Sequence, residues 1–196
     1  MKIVIGTAEH AELLLQYNLD NAARFERWNP APGPNFYTLD WWQFRVEEWE
    51  RQFMEGSAVH FLGIDETANR VIGVCSLTNI VYSAACFCFM GYSVDRREEG
   101  TGAMTRIIEH AIDYAFNVLK LNRISASYMP VNERSGRLLA KLGFEKEGYS
   151  RRLLMINGQW EDHINTALLN PRNNCVSAVA ATTAAGSDSK SYSEAP

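Results

Sequence analysis

The stretch from Cys86 to Leu119, CFCFMGYSVDRREEGTGAMTRIIEHAIDYAFNVL, constrains the fold most tightly. An apolar run gives way to RREEGTG, in which two glycines stand two positions apart. Apolar residues then recur in steps of three and four: Met104, Ile107, Ile108, Ala111, Ile112, Ala115, Phe116 and Leu119. The first run reads as a buried strand and the second as a helix with one face packed on a sheet. The junction between them must be a tight turn.

At such a turn small residues let the backbone N–H groups of the helix start approach a ligand, and the helix dipole favours an anion there. The spacing fits a phosphate or pyrophosphate cradle, although a glycine pair that only shapes the turn would look the same. Two familiar nucleotide motifs are excluded. Thr105 stands where a dinucleotide fingerprint has its third glycine, and no Lys-Ser/Thr follows as in a P-loop.

The rest of the chain supplies partners for this unit. KIVIG reads as a short strand, followed by a helix after Thr7 with Ala11, Leu14, Leu15, Ala22 and Phe25 on one face. The proline-rich NPAPGPNFYT is an irregular loop. Asp40 with Gln43 three residues on resembles a capping box for a second helix reaching Glu55. Strands near Ala58 to Ile64 and Arg70 to Val81, separated by DETAN, read as an antiparallel hairpin. RISASYM is a further strand and NERSGRLLAKLGF a short helix closed by Gly143. The final hairpin turns at Asn157-Gly158. This order predicts an α/β sandwich over residues 1–170. From Pro171 onward the chain is small, polar and aperiodic, and residues 171–196 read as a disordered tail.

Composition excludes several classes. A net charge of -4 and a pI near 5.6 give no basic footprint for sequence-specific nucleic acid binding. No apolar run approaches the roughly 18 residues of a membrane span, and the first residues lack the long apolar region of a signal peptide. A soluble, cytoplasmic protein is expected, with Cys75, Cys86, Cys88 and Cys175 reduced. Neither the cysteines nor His10, His60 and His110 show metal-ligand spacing, so no metal is expected.

Arg97-x-x-Gly100-x-Gly102 after a strand resembles the acyl-CoA pyrophosphate loop of the GNAT N-acetyltransferase superfamily, whose succession of elements matches residues 1–170. YMPVNERSGRLLAKLGFEKEGY, Tyr128 to Tyr149, with INGQWEDHINTALL after it, is most similar to one branch, the RimJ/RimL ribosomal-protein N-terminal acetyltransferases. The resemblance implies a mixed, mostly antiparallel sheet of about seven strands flanked by helices. Acetyl-CoA would lie between two splayed strands, Cys86–Val94 and Ile124–Met129. It also implies a monomer or homodimer that acetylates the N-terminal amine, preferably alanine, of a ribosomal protein. Within the branch the strongest likeness is to the enzyme for the fifth small-subunit protein.

By the same resemblance, backbone groups of Ser93 and Val94 pair with the pantetheine arm. The amides of Arg97, Glu98, Glu99, Gly100, Thr101, Gly102, Ala103 and Met104 hold the pyrophosphate. Asn132 contacts the cofactor, and Ser135 donates a hydrogen bond to the leaving thiolate. Many GNATs carry a tyrosine where this chain has Leu139, so Tyr92 and Tyr128 are substitutes for that donor. Asn132 and Ser135 also suit a plain helix cap. Relatives carry a basic glutamate where this chain has Leu154, which leaves the base open among Glu47, Glu50, Glu161 and His163. Rings at Trp28, Phe36, Tyr37, Trp41, Trp42 and Trp49, and the polar Asn79, are candidates for an acceptor slot or for core.

An enzyme without a dedicated base favours an α-amine. With a pKa of about 7.7–8.0, roughly a quarter of it is neutral near pH 7.4, against about a thousandth of a lysine. Two other functions fit the chain: acetylation of a small amine or antibiotic, which calls for an acidic acceptor groove, and a non-catalytic acyl-CoA-binding ribosome-assembly factor.

Overall fold

The fold, a computed structural model, describes residues 1–172; of the expected tail, 173–196 lies outside the described residues. Short apolar stretches bounded by turn residues form seven strands: β1 (Lys2–Ile5), β2 (Val59–Asp65), β3 (Arg70–Val81), β4 (Phe87–Val94), β5 (Arg123–Tyr128), β6 (Glu145–Ile156) and β7 (Gln159–Leu169). They make one sheet in the order β1-β2-β3-β4-β5-β7-β6. Every pairing is antiparallel except β4 with β5.

The helices are α1 (Ala11–Phe25), α2 (Leu39–Met54), α3 (Ala103–Asp113) and α4 (Glu133–Lys141). The two-residue period of β2 sorts them onto opposite faces. Phe61 packs into one core with Ile107, Ile108 and Leu139, whereas Leu62 packs into another with Leu14, Val46 and Trp49. Helices α3 and α4 thus cover one face, and α1 and α2 the other.

Local chemistry corrects several expectations. The buried stripe of α1 is Ala11, Leu14, Tyr17, Asn21 and Phe25, with Leu15 and Ala22 only half-buried, because the Asn21 side chain is used inside. Thr38, not Asp40, caps α2: its hydroxyl accepts from the Trp41 amide, and Asp40 becomes a first-turn acid. The α-helical part of α3 stops at Asp113, and a π turn over Tyr114–Val118 carries Ala115 and Phe116 into the core. Cys75 and Cys88 are buried free thiols, as expected, whereas Cys86 is disulfide-bonded. The last hairpin turns where expected, with φ of 48° at Asn157 and 78° at Gly158. No helix among the described residues is long and apolar enough to cross a membrane.

Candidate active site

Strands β4 and β5 pair only through Phe87–Arg123, Cys88–Ile124 and Phe89–Ser125, then part. The parting opens a cleft of about 1030 Å³ lined by Met90 to Val94 of β4 and by Ser127 and Tyr128 of β5. The end of α1 with the loop after it, the turn before α3, one side of α4 from Arg134 to Lys141, and Leu154, Ile156 and His163 of the last hairpin also line it. The expected splay is therefore present.

One end of the cleft is built from backbone. Gly100 and Gly102 sit at φ of 76° and 83°, and a Cβ on either would meet nothing within 4 Å. Left-handed backbone, not crowding, is what calls for glycine there. The amides of Glu99, Gly100, Gly102, Met104 and Thr105, all cleft-lining residues, carry no hydrogen bond within the described residues. Those of Arg97, Glu98, Thr101 and Ala103 are occupied, by Asp95 Oδ1 (2.8 Å), Asp95 O (2.9 Å), Glu98 O (3.3 Å) and Thr101 Oγ1 (3.2 Å). The eight-residue cradle expected from Arg97 to Met104 narrows accordingly.

Asp95 holds this turn in place. Its side chain is fully buried and accepts from Arg97 Nε (2.9 Å) and Nη2 (2.5 Å), with Arg70 Nη1 at 3.7 Å. Burial by itself would raise its pKa, but the hydrogen bonds from the Arg97 side chain and amide win and hold it at about 2. Helix α1 grips the same turn. Asn21 accepts from the Arg96 amide at 3.0 Å, and the Tyr17 hydroxyl lies 2.8 Å from Ser93 Oγ. Burial pushes the Tyr17 hydroxyl above its ordinary pKa, so it remains a neutral partner. Arg24, Arg27, Arg134, Arg137 and Lys141 give the cleft a basic lining. Its two carboxylates are both engaged, Glu98 by Arg70 and Glu99 by Arg24 and Arg134. The donor set suits a phosphorylated anion.

The other end is built from side chains. Tyr92 OH and Ser135 Oγ lie 2.7 Å apart, and burial pushes the Tyr92 pKa up to about 12. Asn132 caps α4 by accepting from the Ser135 amide at 3.2 Å, so the cap reading holds for Asn132 while the Ser135 hydroxyl points to Tyr92. Tyr128 lies against Gly136, where a Cβ would come within 2.8 Å of its ring. Leu139 is a core residue, 1% exposed, and leaves no hydroxyl at that place.

Of the four base candidates the structure brings only His163 into the cleft lining, together with Leu154. Glu50 accepts from the Ala8 amide at 2.8 Å, Glu47 is a solvent-facing residue of α2, and Glu161 does not line the cleft. Trp42 and Trp49 are core, and Trp49 stacks on His60, whose pKa burial drives down to about 3. Trp41 and Phe36 pack on Trp42 at the edge of that core, with Tyr37 against Phe36, leaving Trp28 as the ring of this group that reaches the cleft. Asn79, at φ 49°, is an exposed bulge residue of β3. Sequence reasoning missed Tyr17, Asn21, Arg24 and Asp95; the one available signal was an acid directly between a strand and two arginines. Among the described residues no three His, Cys, Asp or Glu side chains gather as a metal site.

A mixed sheet split between β4 and β5, with free amides at a glycine turn in the split, defines an acyl-CoA-dependent acetyltransferase fold. The chain belongs to the GNAT acetyltransferases: the Acetyltransferase (GNAT) domain family matches residues 5–145. More narrowly, it is 38% identical over 158 residues to the [ribosomal protein uS5]-alanine N-acetyltransferase of Escherichia coli, covering 81% of each chain. It superposes on the ribosomal-protein-S5-alanine acetyltransferase of Vibrio fischeri with a TM-score of 0.84 at 33% identity, covering 86% of this chain and 92% of that one. RimJ of Mycobacterium smegmatis, solved with a CoA disulfide, shares the fold at a TM-score of 0.80 and 24% identity, with 92% and 88% covered. Acetyl-CoA is the acetyl donor of this family.

Proposed function

We propose that residues 1–170 form an N-α-acetyltransferase that moves the acetyl group of acetyl-CoA to the N-terminal amine, preferably alanine, of a ribosomal protein. The fifth small-subunit protein is the favoured acceptor, which places the enzyme in the cytoplasm with the ribosome. What carries this reading is one coincidence. Unpaired amides at a basic cleft end and a Tyr92–Ser135 hydroxyl pair at the other share a cleft, in a chain 38% identical to a uS5-alanine N-acetyltransferase. Against a polyamine acceptor, Glu47, Glu48 and Glu50 do not line the cleft, and the two carboxylates that do, Glu98 and Glu99, are paired with arginines.

Acetyl-CoA supplies a thioester whose carbonyl the acceptor amine attacks. The amides of Glu99, Gly100, Gly102, Met104 and Thr105, with Arg24 and Arg134 beside them, receive the phosphate charge, and backbone groups of Ser93 and Val94 align the pantetheine arm. Ser135, backed by Tyr92, donates toward the sulfur as negative charge develops there. No acyl-enzyme forms, because Ser135 Oγ is bonded to a tyrosine and not to a base.

The test is acetyl-CoA turnover with three acceptors: an Ala-starting peptide, the same peptide N-terminally blocked but bearing a lysine, and a polyamine. Acetylation of the free alanine terminus alone is expected. Turnover of lysine or polyamine would refute the N-terminal reading, and donor binding without turnover would favour an acyl-CoA-binding assembly factor.

A further inference from the structure

The site as described lacks a proton acceptor for the incoming amine, and the remaining titratable groups can be narrowed. The cleft carboxylates Glu98 and Glu99 are tied to arginines, and Tyr92 is a protonated hydroxyl bonded to Ser135. His163 is different. It is 4% exposed, it lines the cleft, and its Nδ1 lies 3.1 Å from the Glu161 carbonyl oxygen. A carbonyl only accepts, so in the neutral ring Nδ1 carries the proton and Nε2 the lone pair. Nε2 has no partner among the described residues and is not one of the sealed, unpartnered nitrogens, which belong to Trp42, Trp49 and Arg70.

We propose that His163 is the general base of the site, an inference that rests on acetyl transfer to an α-amine as read above. One proton passes from the acceptor ammonium to Nε2 and on to water. The freed nitrogen lone pair then forms the N–C bond while the C–S bond breaks. The second nitrogen proton ends on the coenzyme A sulfur by way of the Tyr92–Ser135 hydroxyls, so that acetylated amine, thiol and one released proton balance the step.

The backbone bond to Glu161 fixes the ring as the third member of a triad would, without a carboxylate. The ring also stands across the strand pair from Ser150, beside the bulge between Ser150 and Leu154. Such bulges re-aim side chains near active sites. Asp162 secures this one, accepting from the Arg152 amide at 2.8 Å and from the Tyr149 hydroxyl at 2.6 Å. The other titratable side chains that β4, β5 and α4 present to the cleft are Tyr92, Tyr128, Arg134, Arg137 and Lys141, while Glu161 and Asp162 flank His163 on β7. None of these offers an unengaged neutral nitrogen.

The experiment compares full-length wild type with His163→Gln, measuring kcat/KM for an Ala-starting peptide from pH 7 to pH 9.5, together with acetyl-CoA binding and thermal unfolding. A base accelerates by about 10²–10⁴-fold. The variant is expected to lose about 10²-fold at pH 7 and to recover most of that at pH 9.5, where an α-amine of pKa about 7.7–8.0 deprotonates by itself. Donor binding should not change. His163→Asn, whose amide can still donate to the Glu161 carbonyl, repeats the comparison if the Gln variant unfolds. Unaltered activity in a folded variant, or a loss of equal size at every pH, would overturn the proposal. Wild type inactive on every free α-amine would instead remove the N-terminal reading, and the inference with it.

Discussion

The two ends of the cleft are made of different materials. The glycine-turn end is contiguous chain, Asp95 to Thr105, with free amides and two left-handed glycines. The proposed reactive end is assembled from Tyr92, Ser135, Tyr128 and His163, which come from β4, α4, β5 and β7. A backbone cradle tolerates change in most of its side chains but not in its conformation; a side-chain site tolerates neither loss of a hydroxyl nor a shift of the elements carrying it.

That contrast orders the expected effects. The largest falls on the one side chain that the cradle cannot lose. Asp95→Ala leaves Arg97 and Arg70 without their buried carboxylate and should cost roughly 3–5 kcal/mol in a denaturant titration, with acetyl-CoA affinity falling alongside. The pH dependence follows from the same group. Because its folded pKa of about 2 lies below the ordinary 3.8, its contribution is complete above the ordinary value and is lost as pH falls through 2. An acid titration of wild type against Asp95→Asn reads this directly.

At the reactive end, Ser135→Ala and Tyr92→Phe should each lower kcat by about 10²-fold at unchanged donor affinity. The double variant should lose little more, since the two hydroxyls form one hydrogen-bonded unit. Additive losses would show two independent donors. Gly102→Ala sharpens the comparison from the other side. It meets no steric obstacle, so the cost is the left-handed backbone, about 1–2 kcal/mol, and should appear in KM for acetyl-CoA with kcat retained. Smallest is Glu50→Ala, which removes one acceptor for the Ala8 amide. It should cost about 1 kcal/mol of stability and leave kcat intact. A large kcat loss there would put α2 back among the catalytic elements.

What could be read from the sequence follows the same division. Apolar periods, the glycine turn and the Asn157-Gly158 hairpin are local signals, and the structure keeps all three. Thr38 and Asp40 both suit a cap, and the Gln43 that completes the box pattern favoured the wrong one, because chain entry from the proline loop decides the cap. Asn79 looked like a polar group in a buried strand because a bulge has no pattern of its own. The pairs Tyr17–Ser93 and Tyr92–Ser135 join residues 76 and 43 positions apart, and no spacing rule reaches across such distances. His163 was one of four choices until the fold left Glu47 and Glu50 of α2 and Glu161 of β7 out of the cleft lining.

The seam between β4 and β5 is three residue pairs long, and beyond it the strands run on with no ladder between them. Backbone hydrogen bonds therefore join the two halves of the sheet only near Phe87–Phe89, while the core under α3 and α4 spans both. A pantetheine chain laid in the gap as proposed would offer its amides to the unpaired edges, so donor binding should order the strand ends that the ladder leaves free. Hydrogen exchange at Met90 to Val94 should slow on adding donor while Phe87 to Phe89 stay as protected as before.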